Sequence, residues 1–292
     1  MKAIAAIVIA VCASRAYAAD VVLGTTADLT WTGSGAVRVA TWAAGGADGT
    51  WAYTDLGAPL KAWYTCADTS TVTVVSGAVS RWDSKVNSIY ADQSTTNQRP
   101  ILQASAINGY CALRFDGTND ALTSATKLFA STNSGAFFAV CRRLTGTDQR
   151  NVYQERGGQS SGDTFNMLDR VGGASNRRFA KDGIAASSSA TSTNVVLFCG
   201  LFTSAKVELW ETGVLAASNV TATAKSVYNY ASIGATVNVA APATWPGYIS
   251  EIIMVVPSPT AADRQRIEGR MMHDFGLQSM LPASHPYRTY AP

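Results

Sequence analysis

Two kinds of chemistry have candidate residues in this chain. The first is acyl transfer. Gly158-Gln159-Ser160-Ser161-Gly162 has the G-x-S-x-G spacing of a nucleophile elbow, in which a strained strand-to-helix turn lifts a serine above a sheet. Here both flanks are polar loop. The base would have to be His273 or His285, since a serine needs an imidazole or its equivalent to take its proton. One falls in a helical stretch and the other in the terminal His-Pro-Tyr, so each has a structural explanation, and no hydrolase of this kind is expected. The second chemistry is sugar recognition, which needs an aromatic plate beside a few convergent polar groups. Trp82 beside Asp83, Trp210 beside Glu211, and Tyr228 with Tyr230 supply such sets. Each also has a packing explanation, Trp210 closing a hairpin at Thr212-Gly213.

The elements that must position these residues read as strands. Cys111 to Thr123 sets the pattern: Leu113 and Phe115 alternate with Arg114, the period of a strand with one face in a core. Asp116-Gly117 then breaks the strand, because glycine reaches the angles of a tight turn and aspartate bonds to its own local backbone. Further strands are expected at Val72–Val75, Ala136–Cys141, Val195–Leu201, Lys206–Trp210, Ser232–Gly234 and Tyr248–Val256. With almost no helical periodicity between them, they predict an all-β chain: an antiparallel two-sheet jelly-roll sandwich. One helix is expected near the end. Thr260 caps it with Asp263 three residues on, Ile267, Met271 and Phe275 share a face, and Gly276 ends it. Gln149 to Ser189, rich in Gly, Ser and Arg, is expected to form long surface loops.

Composition narrows the setting. Charged residues are 15% of 292, below the roughly 25% of an average globular protein, so Ser, Thr, Ala and Gly fill the surface. The formal charge is +3, and Arg142-Arg143 and Arg177-Arg178 are isolated pairs, so no nucleic-acid partner is expected. Lys2, the apolar run Ile4 to Cys12 and Ala16-Tyr17-Ala18 form a secretory-signal pattern with cleavage before Ala19; the alternative is an uncleaved N-terminal arm. The run is too short for a membrane span. Residues 19–57, with Trp31, Trp42 and Trp51 about ten apart, read as a small N-terminal β extension whose tryptophans are core, and 58–292 as the main domain. Cys66, Cys111, Cys141 and Cys199 permit two disulfides in three connectivities, or buried thiols at Cys141 and Cys199.

Four segments resemble a known family. Leu60-Lys61-Ala62-Trp63-Tyr64 resembles its opening strand. Arg81-Trp82-Asp83 with Asn87 and Arg99-Pro100 resembles its W-x-D…N…R-P segment, and Arg114-Phe115-Asp116-Gly117-Thr118-Asn119-Asp120 its R-F-D-G-x-x-D corner. Gly247 to Ile252, the helix and Leu281 to Tyr287 resemble its C-terminal signature. The chain from Leu60 to Tyr287 is thus similar to the concanavalin A-like lectin/glucanase superfamily, in its laminin-G-like or pentraxin-like bacterial and phage branch. The resemblance implies a jelly roll with a carbohydrate- or surface-binding role. Its glucanases carry E-x-D-x-x-E on one strand, which points acid and nucleophile into one cleft. Glu155, Glu208, Glu211, Glu251 and Glu268 form no such pattern, and Glu251, inside an apolar strand, is expected to be bonded to a neighbour. Some relatives hold Ca²⁺ at the rim through Asp and Asn oxygens; Asp83, Asn87, Asp116, Asn119 and Asp120 are the candidates here, with turn capping as the alternative. No other cofactor is implied.

The expectation is a non-enzymatic module, exported to the cell surface, that binds a glycan or surface polysaccharide through its rim loops. The alternative is a phage virion subunit (tail, fibre or head decoration) whose jelly roll meets other subunits or copies of itself.

Overall fold

The middle of the molecule is made of strands that are apolar on both sides, and this dictates three layers. The computed structural model describes residues 51–145, 149–157, 164–170, 177–189, 193–220, 228–236 and 244–292. The signal-like segment, the extension before Trp51 and the G-x-S-x-G stretch lie outside the described residues. In chain order come β1 (Leu60–Thr65), β2 (Val72–Val75), β3 (Ala78–Asp83), β4 (Tyr90–Asp92), β5 (Ile101–Ile107) and β6 (Tyr110–Asp116). Next are β7 (Leu122–Ser124), β8 (Gly135–Arg143), β9 (Gln149–Arg156), β10 (Thr164–Arg170), β11 (Arg177–Lys181) and β12 (Ile184–Ser188). Last are β13 (Val195–Phe202), β14 (Val207–Glu211), β15 (Val214–Asn219), β16 (Tyr230–Ile233), β17 (Pro246–Val255) and the helix α1 (Ala261–Asp274).

Every strand pairing among the described residues is antiparallel. One sheet runs β15-β14-β13-β8-β17-β6-β5, with β1 also on β17; the other runs β12-β11-β10-β9-β16-β7-β4-β3-β2. Alternation along β8 and β13 sorts the layers. Phe137, Ala139, Cys141, Val196, Phe198 and Phe202 pack against the second sheet. Phe138, Val140, Leu197, Cys199 and Leu201 face the other way, onto Ile267, Met271, Met272 and Phe275 of α1. Strands covered on both faces must be apolar throughout, which is why these runs stand out in the sequence. Gly200 on β13 has to be glycine, since a Cβ there would collide with the Phe179 ring.

The Asp-Gly corner after β6 carries the chain from the first sheet to β7 in the second. Gly117 sits at φ +79° with Pro246 against it, 2.6 Å from where a Cβ would stand, so both backbone angle and space require glycine. Thr260 caps α1, its hydroxyl oxygen accepting from the Asp263 N–H at 3.1 Å. The far end is capped from a distance: Asn108, in the β5–β6 turn at φ 49°, donates its amide to the carbonyls of Phe275 (2.8 Å) and Gly276 (3.2 Å). Asn108→Gly keeps that backbone angle and removes the donor. It is expected to cost about 1 kcal/mol, seen as a melting temperature lower by about 2–4 °C.

Three expectations are settled differently or further. Gln149 to Ser189 is not a set of long loops: β9, β10, β11 and β12 fall within it and form one wing of the second sheet. Among the four cysteines, Cys66 and Cys111 form a disulfide between the end of β1 and β6, with Cα atoms 5.9 Å apart, while Cys141 and Cys199 are buried thiols. Trp51 packs in the helix-side core with Tyr53, ring centroids 5.7 Å apart; Trp31 and Trp42 lie outside the described residues. No described helix is long and apolar enough to cross a membrane.

Candidate functional site

Most of the aromatic candidates for sugar binding face inward. Trp82 is fully buried, donating its indole N–H to the Thr65 carbonyl at 3.2 Å and lying 5.4 Å from the Tyr64 ring. Tyr228 is 3% exposed; its hydroxyl donates to Asp182 and accepts from the Lys181 ammonium, each at 2.7 Å. Trp210 is half-buried beneath the Arg264 guanidinium, 3.6 Å above its ring, and donates to Glu208. Asp83 accepts from Arg81 at 2.6 and 2.8 Å. Trp82 and Tyr228 offer no free surface to a ligand, while Trp210 and Asp83 are half-buried and each is engaged by an arginine.

Tyr230 is different. It is 38% exposed and lies in a shallow groove of about 490 Å³ on the outer face of the second sheet, with Asp92, Thr123, Ser124, Ala125, Asn229 and Ala231. Strand register assembles it: Asp92 on β4 pairs with Thr123 on β7, and Thr123 with Ser232 on β16. Because Ala231 and Ile233 are buried, alternation turns Tyr230 outward. Thr123 donates its hydroxyl to the Asp92 carbonyl at 3.2 Å, and Asn229 is held by donating to the Gly157 carbonyl at 2.6 Å. Asp92, Asn229 and Tyr230 are exposed. The groove therefore offers an aromatic side chain, a carboxylate and an amide within one concavity. Asp92, Thr123 and Asn229 were not among the candidates. The one sequence signal for Asp92 was the alternation Tyr90-Ala91-Asp92, which puts two polar-edged side chains on one face of β4.

Of the oxygens suggested for calcium, those of Asp116 and Asp120 are engaged in the turn itself. Asp116 accepts from the N–H groups of Thr118, Asn119 and Asp120, and Asp120 accepts from the Asp116 N–H at 2.8 Å. Burial, helped by the charge of Asp116, raises the Asp120 carboxyl to about 6. Asn87 uses its amide N–H to donate to the carbonyls of Leu60 and Lys61. Among the described residues no three His, Cys, Asp or Glu side chains are grouped to hold a metal ion. The bonds of Asp116 and Asp120 are of the turn-capping kind; those of Asp83 and Asn87 run to an arginine and to the carbonyls of β1.

The five glutamates also have local partners. Glu251 accepts from the Trp63 indole at 2.8 Å and the Tyr53 hydroxyl at 3.5 Å, and burial raises it to about 8. Glu155 accepts from the backbone of Leu128 and Phe129 and from the Tyr153 hydroxyl at 2.6 Å, and burial raises it to about 7. Carboxyls raised this far mark catalytic sites when they line a cleft. These are closed inside the two cores, and none of the five glutamates lines the groove. Glu268 is bound by Arg264 and His285, Glu211 by Arg177 and Ser188, and Glu208 by Lys206. His273 meets the Tyr287 carbonyl.

No family model and no curated protein matches the chain. Solved structures share its fold. A Trypanosoma rangeli sialidase in complex with a difluorinated KDN matches with a TM-score of 0.53 at 8% identity, over 74% of this chain and 33% of that one. The binding domain of Paraclostridial Mosquitocidal Protein 1 matches at 0.52 and 9%, over 74% and 53%. Domain 4 of AbnA, a GH43 arabinanase from Geobacillus stearothermophilus in complex with arabinotriose, gives 0.49 and 12%, over 70% and 95%. The chain spans only a third of the sialidase and about half of the toxin's binding domain. At these identities the likeness is one of fold: a β-sandwich.

Proposed function

We propose that this chain is a non-enzymatic carbohydrate-recognition module on a concanavalin A-like, laminin-G-like scaffold, binding through the groove on the sheet face rather than through rim loops. The observation that carries this is the exposed Tyr230 ring beside Asp92 and Asn229 in one concavity. A sugar's apolar face stacks on such a ring while its hydroxyls meet the polar groups. The fold likeness to a sialidase in complex with a difluorinated KDN, and to a domain named for binding, supports the same reading. A glycan array is the test. Wild type is expected to bind a defined subset, unchanged by chelation of calcium, and Tyr230→Ala to lose that binding by about ten-fold or more with its melting temperature unchanged. Failure to bind any glycan would overturn the proposal. Display on a secreted protein or a particle belongs to the same proposal, and mass spectrometry of the mature chain tests the secretory route: an N-terminus at Ala19 supports it, and an intact Met1 rules it out.

A further inference from the structure

We infer that the groove takes an extended β-1,4-linked glycan laid across the strands, with one ring at Tyr230 and the next ring but one at Tyr90; the inference rests on the carbohydrate reading above. Strand register places the two tyrosines. Ala91 on β4 is buried in the core between the sheets, so alternation turns Tyr90 outward together with Asp92. Asp92 on β4 and Ser232 on β16 both pair with Thr123 on β7. Both pairings are antiparallel, so β4 and β16 run the same way, and each tyrosine stands two residues before its strand's partner of Thr123. Tyr90 and Tyr230 are therefore level with each other and two strands apart, with about 9.5 Å between their backbones. Each is 38% exposed. Between them stand short side chains: Thr123, half-buried, and Ala125, exposed and carried by the same register to a place between the tyrosines. The groove occupies that interval. Arg81, bonded to Asp83, backs the Tyr90 ring at 3.8 Å and holds it in place.

This spacing matches one kind of ligand. In a flat β-1,4-linked ribbon successive pyranose rings are turned over, so the same face recurs at every second ring. Each ring advances the chain by about one strand spacing. Two aromatic side chains two strands apart on one side of such a ribbon meet the same face of its first and third rings. The second ring lies over Thr123 and Ala125, where there is room for it, with Asp92 and Asn229 in the groove to meet its hydroxyls. A curled α-1,4-linked chain turns its rings progressively and does not present equal faces at that interval.

The experiment is isothermal titration calorimetry on the full chain with cello-, manno- and chito-oligosaccharides of two, three and four rings, and malto-oligosaccharides as the curled control. At least one β-1,4 series is expected to gain about ten-fold in affinity from two rings to three, the worth of one added aromatic contact. Tyr90→Ala should remove that step and leave the two-ring ligand bound as in wild type, while Tyr90→Phe keeps the step. Tyr230→Ala should weaken every length. If affinity does not rise at the third ring, if Tyr90→Ala leaves the rise in place, or if only other glycans bind, the inference fails; the recognition reading then stands as long as Tyr230→Ala still abolishes binding. The same step in the malto series overturns the ribbon assignment. If no glycan binds at all, both fall together.

Discussion

Replacing Arg264 by methionine is expected to cost the fold about 3–5 kcal/mol, because it strands a buried charge. Arg264, on α1, places one guanidinium nitrogen 2.6 Å from each oxygen of Glu268, one turn further on. Glu268 is fully buried and Arg264 only 6% exposed. The same guanidinium covers Trp210, and His285 approaches Glu268 at 3.3 Å from the C-terminal segment. This cluster ties the helix, the β14 hairpin and the chain's end to one another. Without the arginine, Glu268 keeps only His285 in a water-excluded layer. Urea denaturation of Arg264→Met measures the loss. The double variant Arg264→Met, Glu268→Leu should recover most of it, since an apolar pair of similar volume needs no charge compensation. A single variant as stable as wild type would contradict this account of how α1 is held.

Stability should also fall as pH rises from about 5 to 8. Glu251 and Glu155 have folded values of about 8 and 7 against an ordinary 4.5, in both cases because burial disfavours the charged form. A carboxyl whose folded value is raised binds its proton in the native state where the unfolded chain has released it. Its stabilising effect is therefore full below 4.5 and is lost as pH climbs to the folded value. Each group contributes a slope of about 1.4 kcal/mol per pH unit while native and unfolded protonation differ fully. For Glu251 the integrated loss is on the order of 4 kcal/mol. Ionisation there is opposed further by Asp274, which the Tyr53 hydroxyl also meets, at 3.4 Å. Glu251→Gln keeps an acceptor for the Trp63 indole and removes the titration. Between pH 5 and 8 its melting temperature should still fall, because Glu155 titrates in the same window, but by about half as much as that of wild type. Equal pH dependence in the two proteins would contradict the assignment to Glu251.

How much was readable in the sequence depended on whether burial and polarity agreed. β8, β13 and β17 are apolar because both faces are covered, and they could be found as runs; α1 carried both its cap and its four-residue stripe. β9 to β12 were hidden because their cores are mixed with buried polar groups. Glu155 and Lys181 point into the sandwich, and an extra residue at Val152, beside Tyr153, breaks the alternation of β9. The site was partly readable in the same sense. Tyr230 could be nominated from its type, as could Trp82 and Tyr228, but which of them faces outward is a matter of strand phase. Asp92, Thr123 and Asn229 become neighbours only through the β4–β7–β16 pairing, which no local pattern announces. Which of the four cysteines pair was open until the fold brought the end of β1 and β6 together.

The most direct test of recognition on the sheet face is chemical-shift mapping by NMR, titrating the labelled chain with its best array ligand. Perturbations centred on Asp92, Thr123, Asn229 and Tyr230 are expected, absent in Tyr230→Ala. Shifts centred on the helix layer, or on the Asp116–Asp120 corner, would contradict it.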